Sequence, residues 1–153
     1  MAILGSQLHG AKVLDLFAGS GAMGLEALSR GAASAVLVDR EPRALQTCRA
    51  NAAVLDPGAG LRIVRAEAFA WLRGPGRATL ADIVLLDPPY AFDRWDELLA
   101  ELLGCQAVRP GGIVVVERAA RSEPVCAPGY RALRSSRYGD TAVDLLVAGP
   151  EPE

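Results

Sequence analysis

The sequence predicts a three-layer α/β domain, in which helices cover both faces of a mostly parallel sheet of seven strands. Short apolar runs alternate with helical stretches along most of the chain. Five of these runs lack polar alternation, which is typical of parallel strands buried on both faces. The last two runs are joined directly by Gly139-Asp140 and predict an antiparallel hairpin at the end of the sheet.

The five parallel strands are bounded by residues typical of loops. Glycines follow the first run, Asp39 follows the second, and Asp87-Pro88-Pro89 follows the fourth. The turn Pro110-Gly111-Gly112 precedes the fifth. The predicted parallel strands are residues 13–16, 35–38, 61–64, 83–86 and 113–116, and the hairpin strands are residues 130–138 and 141–147.

Helices are predicted between these strands, at residues 22–30, 42–55, 68–72 and 95–103. In the second of them, Leu45, Cys48 and Ala52 recur at helical spacing. Pro42 suits the first turn of this helix because an N–H group there has no partner within the helix. The turn Asp56-Pro57-Gly58 ends it.

Composition limits the class of protein. The chain has 153 residues, of which 51% are apolar and 22% are charged, with a net charge of −2. This excludes a disordered chain and fits one domain over residues 1–153, with a loose tail at 149–153. No apolar run reaches the roughly 18 residues of a membrane helix, and the N-terminus lacks a signal-peptide pattern. We therefore expect a monomeric cytoplasmic protein that has no membrane partner.

Cysteine and histidine usage argues against several kinds of site. The three cysteines, Cys48, Cys105 and Cys126, are far apart and form no CxxC pair. They predict reduced thiols, with neither disulfides nor a metal site. His9 is the only histidine and lies near one end of the chain, which argues against a mechanism built on a central histidine base.

Arginines are concentrated in the C-terminal third, although the net negative charge argues against a general polyanion binder. They could form a local basic face, or they could be separate solvated side chains. The residues concerned are Arg118, Arg121, Arg131, Arg134 and Arg137.

A glycine-rich loop follows the first predicted strand. Gly19, Gly21 and Gly24 match the pattern G-x-G-x-x-G between a strand and a helix, and Asp39 lies twenty residues beyond Gly19. Glycine lets a ligand approach the main chain closely, and the following helix amides favour an anionic group. A carboxylate at Asp39 can accept hydrogen bonds from two ribose hydroxyls. The loop therefore predicts a nucleotide-like cofactor.

The glycine pattern alone fits either a nicotinamide dinucleotide or S-adenosylmethionine. Asp15 lies four residues before Gly19 and places a carboxylate at the mouth of the loop. This charge would repel a pyrophosphate, whereas it would attract the ammonium and sulfonium groups of S-adenosylmethionine. A solvated or capping role for Asp15 is the alternative.

The segment Asp87-Pro88-Pro89-Tyr90 decides between the two cofactors. Consecutive prolines lack N–H donors, so the carboxylate and a proline carbonyl are free to accept the two hydrogens of an exocyclic amine. Such acceptors favour a pyramidal nitrogen whose lone pair can attack a methyl carbon. Tyr90 offers a surface on which a flipped base can stack. The pattern predicts methyl transfer to a nucleobase amine, with Asp87, Pro88, Pro89 and Tyr90 as the catalytic residues.

This segment resembles the D/N-P-P-Y/F motif of class I amino-methyltransferases. The segments VLDLFAGSGAMGLEALSRGA, LLDPPY and RYGDT, with the acid that ends the second strand, resemble the RsmD-type 16S ribosomal RNA guanine-N2 methyltransferases. The similarity extends from about Leu8 to Val147. It implies a Rossmann-like class I fold, S-adenosylmethionine as cofactor, and ribosomal RNA or the small ribosomal subunit as partner.

The resemblance also assigns cofactor roles to individual positions. Asp15, Gly19 and Gly21 are expected at the methionine part and Asp39 at the ribose, while Arg40 and Glu67-Ala68 border the adenine. A plain helix-start acid is the alternative for Glu67. The predicted cofactor-binding set is Asp15, Ala18, Gly19, Ser20, Gly21, Asp39, Arg40, Glu67, Ala68 and Asp87.

The resemblance has one departure. Members of the family carry a basic segment and a helix before the first strand, and Ala2-Ile3-Leu4 is expected to be the end of that helix. The alternatives to a guanine-N2 enzyme are an adenine-N6 or cytosine-N4 methyltransferase, a nicotinamide-dependent oxidoreductase, and a non-catalytic module that binds S-adenosylmethionine.

Overall fold

A computed structural model describes residues 2–56 and 58–150. The strands are β1 (Lys12–Asp15), β2 (Ser34–Asp39), β3 (Leu61–Arg65), β4 (Ala81–Leu86), β5 (Val108–Ala119), β6 (Tyr130–Tyr138) and β7 (Thr141–Ala148). The α-helices are α1 (Ala22–Ser29), α2 (Pro42–Leu55), α3 (Ala68–Arg73) and α4 (Trp95–Gly104). Two 3₁₀ helices cover Ala2–Leu8 and Gly58–Gly60.

The strands form one sheet in the order β3-β2-β1-β4-β5-β7-β6. The strands β1 to β5 pair in parallel, and β7 pairs antiparallel with both β5 and β6. The predicted parallel sheet with a terminal hairpin is confirmed. The chain builds outward from β1 to β3 and then crosses back to β4, so the strand order reverses between β1 and β4. In such sheets the loops after the two strands diverge and leave a crevice.

Two apolar layers cover the sheet because successive side chains of a strand point to opposite faces. On β1, Val13 joins the layer that contains α1, α2 and the N-terminal 3₁₀ helix, while Leu14 joins the layer that contains α3 and α4. Strands β4 and β5 divide their side chains in the same way. Burial on both faces explains why these strands read as continuous apolar runs rather than as alternating patterns.

The fifth strand begins earlier than the sequence predicts. Strand β5 starts at Val108 and includes Pro110-Gly111-Gly112, which were expected to be a turn. Ala81 pairs with Val108 and Ile83 pairs with Ile113. Between these two pairs the chain therefore advances two residues along β4 but five residues along β5. The extra residues form a bulge, where a proline without an N–H group interrupts the ladder but does not end the strand.

The N-terminal segment also extends further than expected. The 3₁₀ helix continues past Leu4 to Leu8, with a kink at Gly5, whose φ of 53° lies outside the helical region. Leu4 and Leu8 are both buried in the layer that contains α1. Their burial holds this short segment against the rest of the fold.

No helix in residues 2–56 and 58–150 is long and apolar enough to cross a membrane. Cys48, Cys105 and Cys126 are free thiols.

One of the five C-terminal arginines is not part of a basic face. Arg118 is buried, and its guanidinium donates to the Asp144 carboxylate through Nε and Nη2, at 2.7 and 3.2 Å. Asp144 also accepts from the Ser135 hydroxyl at 2.7 Å and the Val125 N–H at 2.8 Å. Burial alone would raise the pKa of Asp144, but the hydrogen bonds from Arg118, Ser135 and Val125 outweigh it and lower the pKa. The pair joins β5, β6 and β7 to the segment after β5.

We expect Asp144→Ala to lower the free energy of unfolding by about 3–5 kcal/mol, because it leaves the buried Arg118 charge without a partner. Urea denaturation at pH 7 measures this. The double variant Arg118→Met/Asp144→Leu should recover most of the loss because it removes both charges. Glu26→Ala, which breaks the exposed Arg30–Glu26 pair, is the control and should cost under about 1 kcal/mol. An equal loss in Asp144→Ala and Glu26→Ala would contradict the assigned role.

Candidate active site

A cleft of about 760 Å³ opens at the carboxyl ends of β1, β2 and β4, where the strand order reverses. Every predicted site residue except Gly21 lines it. The two motifs are about seventy residues apart in the chain, and the fold brings them to one cleft. The predicted residues that line the cleft are Asp15, Ala18, Gly19, Ser20, Asp39, Arg40, Glu67, Ala68, Asp87, Pro88, Pro89 and Tyr90.

Asp39 fastens the glycine loop to the end of β2. The Gly19 N–H donates to Asp39 Oδ2 at 2.8 Å, and the Glu41 N–H donates to Asp39 Oδ1 at 2.8 Å. The Ala18 N–H donates to the Val38 carbonyl at 3.0 Å. Each carboxylate oxygen keeps a further lone pair, so this structural role is compatible with the predicted binding of ribose hydroxyls.

Two glycines of the motif, Gly21 and Gly24, leave room for neighbouring side chains to pack against α1. Gly21 caps the N-terminus of α1 with φ +83°, and a Cβ atom there would lie 2.6 Å from Cys48 Sγ. A Cβ atom at Gly24 would lie 2.1 Å from a methyl group of Leu37. These positions let α1 approach β2 and α2 closely. Gly21 thus lies beneath the loop and does not line the cleft.

Asp15 is a buried carboxyl at the floor of the cleft, with 1% of its surface exposed. Desolvation by burial raises its pKa to about 7, and the nearby acids Asp87 and Asp39 contribute to the rise. The Phe17 N–H donates to Asp15 Oδ1 at 3.4 Å. Within residues 2–56 and 58–150 no basic side chain pairs with Asp15, so a cationic ligand group would relieve its burial.

Asp87 begins the double-proline corner directly after β4. Pro88 is buried, and the Pro89 carbonyl accepts the Phe92 N–H at 2.9 Å, which fixes the corner. In the described part of the chain no donor binds the Pro88 carbonyl or the Asp87 carboxylate, so both are free to accept from a ligand. Partial desolvation and then the charge of Glu117 raise the pKa of Asp87 to about 6.

Aromatic side chains surround the corner. Tyr90 is 69% exposed at the rim of the cleft, where a planar ligand can stack on it. Beneath it, Phe92 makes edge-on contacts with Phe17 and Trp95, at ring-centroid distances of 5.6 and 4.9 Å. These contacts anchor the loop that carries Tyr90.

Two residues predicted to border the adenine, Glu67 and Arg40, interact with other parts of the protein. Glu67 caps α3 and accepts from the Phe69 N–H at 2.9 Å and from the Ala70 N–H at 3.1 Å. Glu67 is therefore a helix-start acid that also lines the cleft, and its role at the adenine stays a prediction. Arg40 is exposed at the rim, where its Nε lies 3.6 Å from Glu41 Oε1.

Several residues that line the cleft are not in the predicted set, and three of them bear on its charge and shape: Glu117, Phe92 and Arg94. Glu117 follows the apolar run of β5, as Asp87 follows the run of β4, so the strand-end rule would have found it. Phe92 and Arg94 lie in the loop before α4, where neither spacing nor composition marks them. Arg94 lies over the Phe69 ring, with its guanidinium carbon 4.0 Å from the ring centroid.

Comparison with known proteins identifies the family. The family model described as Conserved hypothetical protein 95 matches residues 1–147. A Bacillus subtilis protein, YlbH, named as a candidate rRNA methyltransferase, is 34% identical over 145 residues, which cover 94% of this chain and 79% of that protein. The chain belongs to the RsmD-type rRNA methyltransferase family.

A second RsmD-type relative matches a shorter stretch. Ribosomal RNA small subunit methyltransferase D of Escherichia coli is 45% identical over 80 residues, which are 52% of this chain and 39% of that protein. Among solved structures, the candidate methyltransferase yhhF of Escherichia coli superimposes with a TM-score of 0.85 at 29% identity, covering 97% of this chain and 82% of that one. The predicted class I methyltransferase fold is confirmed.

More distant structures share the fold alone. A candidate methyltransferase, SMU.776, solved with S-adenosylhomocysteine, has a TM-score of 0.80 at 17% identity, and the match covers 96% of this chain and 48% of that one.

We expect Asp15→Asn to stabilise this RsmD-type protein in the absence of ligand, and only towards neutral and alkaline pH. The folded-state pKa of Asp15 is raised from 3.8 to about 7, so ionisation opposes folding progressively from pH 4 to 7 and fully above it. The gain at pH 8 should be on the order of a few kcal/mol. Urea denaturation at pH 4 and pH 8 measures it.

The exposed Asp93→Asn substitution is the matched control and should change stability little at either pH. A gain for Asp15→Asn that is the same at pH 4 and pH 8 would show that its ionisation is not the cause.

Proposed function

We propose that this protein transfers a methyl group from S-adenosylmethionine to an exocyclic amine of ribosomal RNA in the small subunit, and that the amine is N2 of guanine. The observation that carries the proposal is the placement of Asp15 and Asp87 in one cleft, on the two strands where the sheet order reverses. The Asp15 carboxyl suits a cationic cofactor, and the Asp87 carboxyl suits an amine.

The cleft fits S-adenosylmethionine. Asp15 is a buried acid without a basic partner in the described part of the chain, and the ligand brings an ammonium and a sulfonium. Gly19 and its neighbours let a ligand lie against the main chain, and Asp39 stands at the end of β2 with lone pairs for ribose hydroxyls. A pyrophosphate would add negative charge beside Asp15, Asp39 and Asp87, which disfavours a nicotinamide dinucleotide.

The double-proline corner would orient the amine. The Asp87 carboxylate and the Pro88 carbonyl accept its two hydrogens, so that its lone pair projects towards the cofactor. S-adenosylmethionine, when bound, would supply an electrophilic methyl carbon. The new nitrogen–carbon bond would replace the carbon–sulfur bond, whose electron pair stays on the sulfur of S-adenosylhomocysteine, and the extra proton on the nitrogen would pass to the Asp87 carboxylate. Asp87 is placed to stabilise the positive charge that develops on the nitrogen. Tyr90 would stack against the base and hold it in line.

The ribosomal RNA substrate is supported by the names of relatives. The Escherichia coli relative is a small-subunit rRNA methyltransferase, and this chain matches 39% of its length. Incubating the purified protein and S-adenosylmethionine with small ribosomal subunits from cells that lack the gene would test which base is methylated. Nucleoside mass spectrometry should then detect N2-methylguanosine. Formation of N6-methyladenosine or N4-methylcytidine instead would replace the guanine assignment, and no methylated nucleoside at all would contradict the proposed function.

We expect Asp87→Ala to lower the rate of methyl transfer by about a hundredfold or more, because it removes the group that stabilises charge on the amine. Asp87→Asn should keep part of the activity, since an amide oxygen can still accept one N–H. Single-turnover kinetics measure the rate, and calorimetric titration with S-adenosylhomocysteine measures cofactor affinity. That affinity should change little; an equal loss of affinity and rate would contradict the assigned role.

Methyl transfer should fall at acid pH with a midpoint near 6. Asp87, whose pKa is raised to about 6, must be ionised to stabilise the positive charge that develops on the amine, so activity is lost as the pH drops through this value. Glu117 and Asp15 are the acids that face Asp87 from the neighbouring strands. The measurement is kcat/KM for RNA at saturating cofactor, a condition that keeps Asp15 paired with a cation. A profile that is flat from pH 5 to 8 would contradict a role for ionised Asp87.

A further inference from the structure

Two carboxylates lie on neighbouring strands, Asp87 directly after β4 and Glu117 within β5. Leu86 of β4 pairs with Val116 of β5, which is the last pair of this register, and Asp87 and Glu117 are the residues that follow it in the chain. Neighbouring strands lie about 4.8 Å apart. Both residues line the cleft, and the charge of Glu117 acts on Asp87.

Neither carboxylate accepts a hydrogen bond within the described part of the chain. Asp39, Glu67 and Asp144 each accept two or more hydrogen bonds from the protein, whereas no donor in that part binds Asp87 or Glu117. Two adjacent negative charges without donors repel each other and disfavour the folded state. A ligand that presents two neighbouring N–H groups would relieve this repulsion.

The three exocyclic amines that such enzymes methylate have different neighbours on the base. In guanine the N2 amine lies beside N1–H, so two donors are adjacent. In adenine the N6 amine lies beside the unprotonated N1, and in cytosine the N4 amine lies beside the unprotonated N3. A second ionised carboxylate at this position would attract guanine and repel the other two bases.

Three acids lie on or directly after three consecutive strands of the sheet, and all of them line the cleft. Asp15 ends β1, Asp87 follows β4, and Glu117 lies in β5, and these strands are consecutive in the sheet. With the cofactor cation at Asp15 and the amine at Asp87, a base whose ring points away from the cofactor would extend towards β5. Glu117 then lies on the side of the amine away from the cofactor, where the ring nitrogen would be.

We propose that Glu117 accepts the N1–H of the target guanine while Asp87 accepts its N2 amine, which makes Glu117 the residue that selects guanine. This inference rests on the proposed function. It assigns Glu117 to recognition of the base rather than to binding of the cofactor.

The test replaces the target guanine by 2-aminopurine, which keeps the amine at position 2 but has an unprotonated N1. The mapped position is substituted in a synthetic RNA, reconstituted into the small subunit if mapping shows that assembly is required. The measured quantity is the ratio of kcat/KM for guanine to kcat/KM for 2-aminopurine. The two amines differ in intrinsic reactivity, so this ratio is compared between protein variants.

In the unaltered protein we expect a strong preference for guanine. Glu117→Gln should lower the ratio about ten- to a hundredfold, because the amide can rotate to donate to the unprotonated N1. Glu117→Ala should lower it too, by loss of the guanine contact. Glu123→Gln removes the same charge from an exposed position outside the cleft and should leave the ratio unchanged.

The outcomes separate the two proposals. If the unaltered protein forms N2-methylguanosine and the ratio is the same in all variants, Glu117 does not read N1 and the inference is wrong, while the proposed function stands. If the unaltered protein forms no N2-methylguanosine, both are wrong. Titration with S-adenosylhomocysteine checks that each variant is folded and should give the affinity of the unaltered protein; a loss of cofactor affinity in Glu117→Gln and Glu117→Ala would place Glu117 at the cofactor and overturn the inference.

Discussion

The reversal of strand order between β1 and β4 is the constraint on which the rest of the site depends. Parallel strands align their carboxyl ends at one edge, and the reversal leaves a crevice there because the following loops run in opposite directions. The glycine loop after β1 and the double-proline corner after β4 therefore face each other across a short gap. Both motifs line the same cleft.

The cleft has a cost in stability that the rest of the fold must offset. Asp15, Asp87 and Glu117 are acids without basic partners in the described part of the chain, and burial opposes the ionisation of Asp15 most strongly. Elsewhere, charge is used differently. The buried Arg118–Asp144 pair is saturated with hydrogen bonds and joins three strands, whereas the acids of the cleft are left for a ligand. This contrast distinguishes charge that is neutralised inside the fold from charge that has no partner in the described part of the chain.

Much of the architecture followed from patterns in the sequence, for identifiable reasons. Continuous apolar runs mark β1 to β5 because both faces of the sheet are covered, and Gly139-Asp140 marks the hairpin because a tight antiparallel turn needs such residues. The start of β5 was missed because a bulge places Pro110 inside a strand, where proline usually indicates a loop. Glu117 was missed because it belongs to no recognisable motif, although it directly follows the apolar run of β5. The pairing of Arg118 with Asp144 depends on a tertiary contact between β5 and β7 that spacing alone does not reveal.

The bulge in β5 lies at the opposite edge of the sheet from the cleft. Gly111 is exposed there, at the amino end of a strand whose other half carries Glu117. The φ of Gly111 is +79°, which an L side chain rarely adopts, so an attachment suits the neighbouring Pro110 better, which is exposed and has no N–H group. A fluorophore or immobilisation tether attached at Pro110 would leave the cleft at the other edge of the sheet unobstructed.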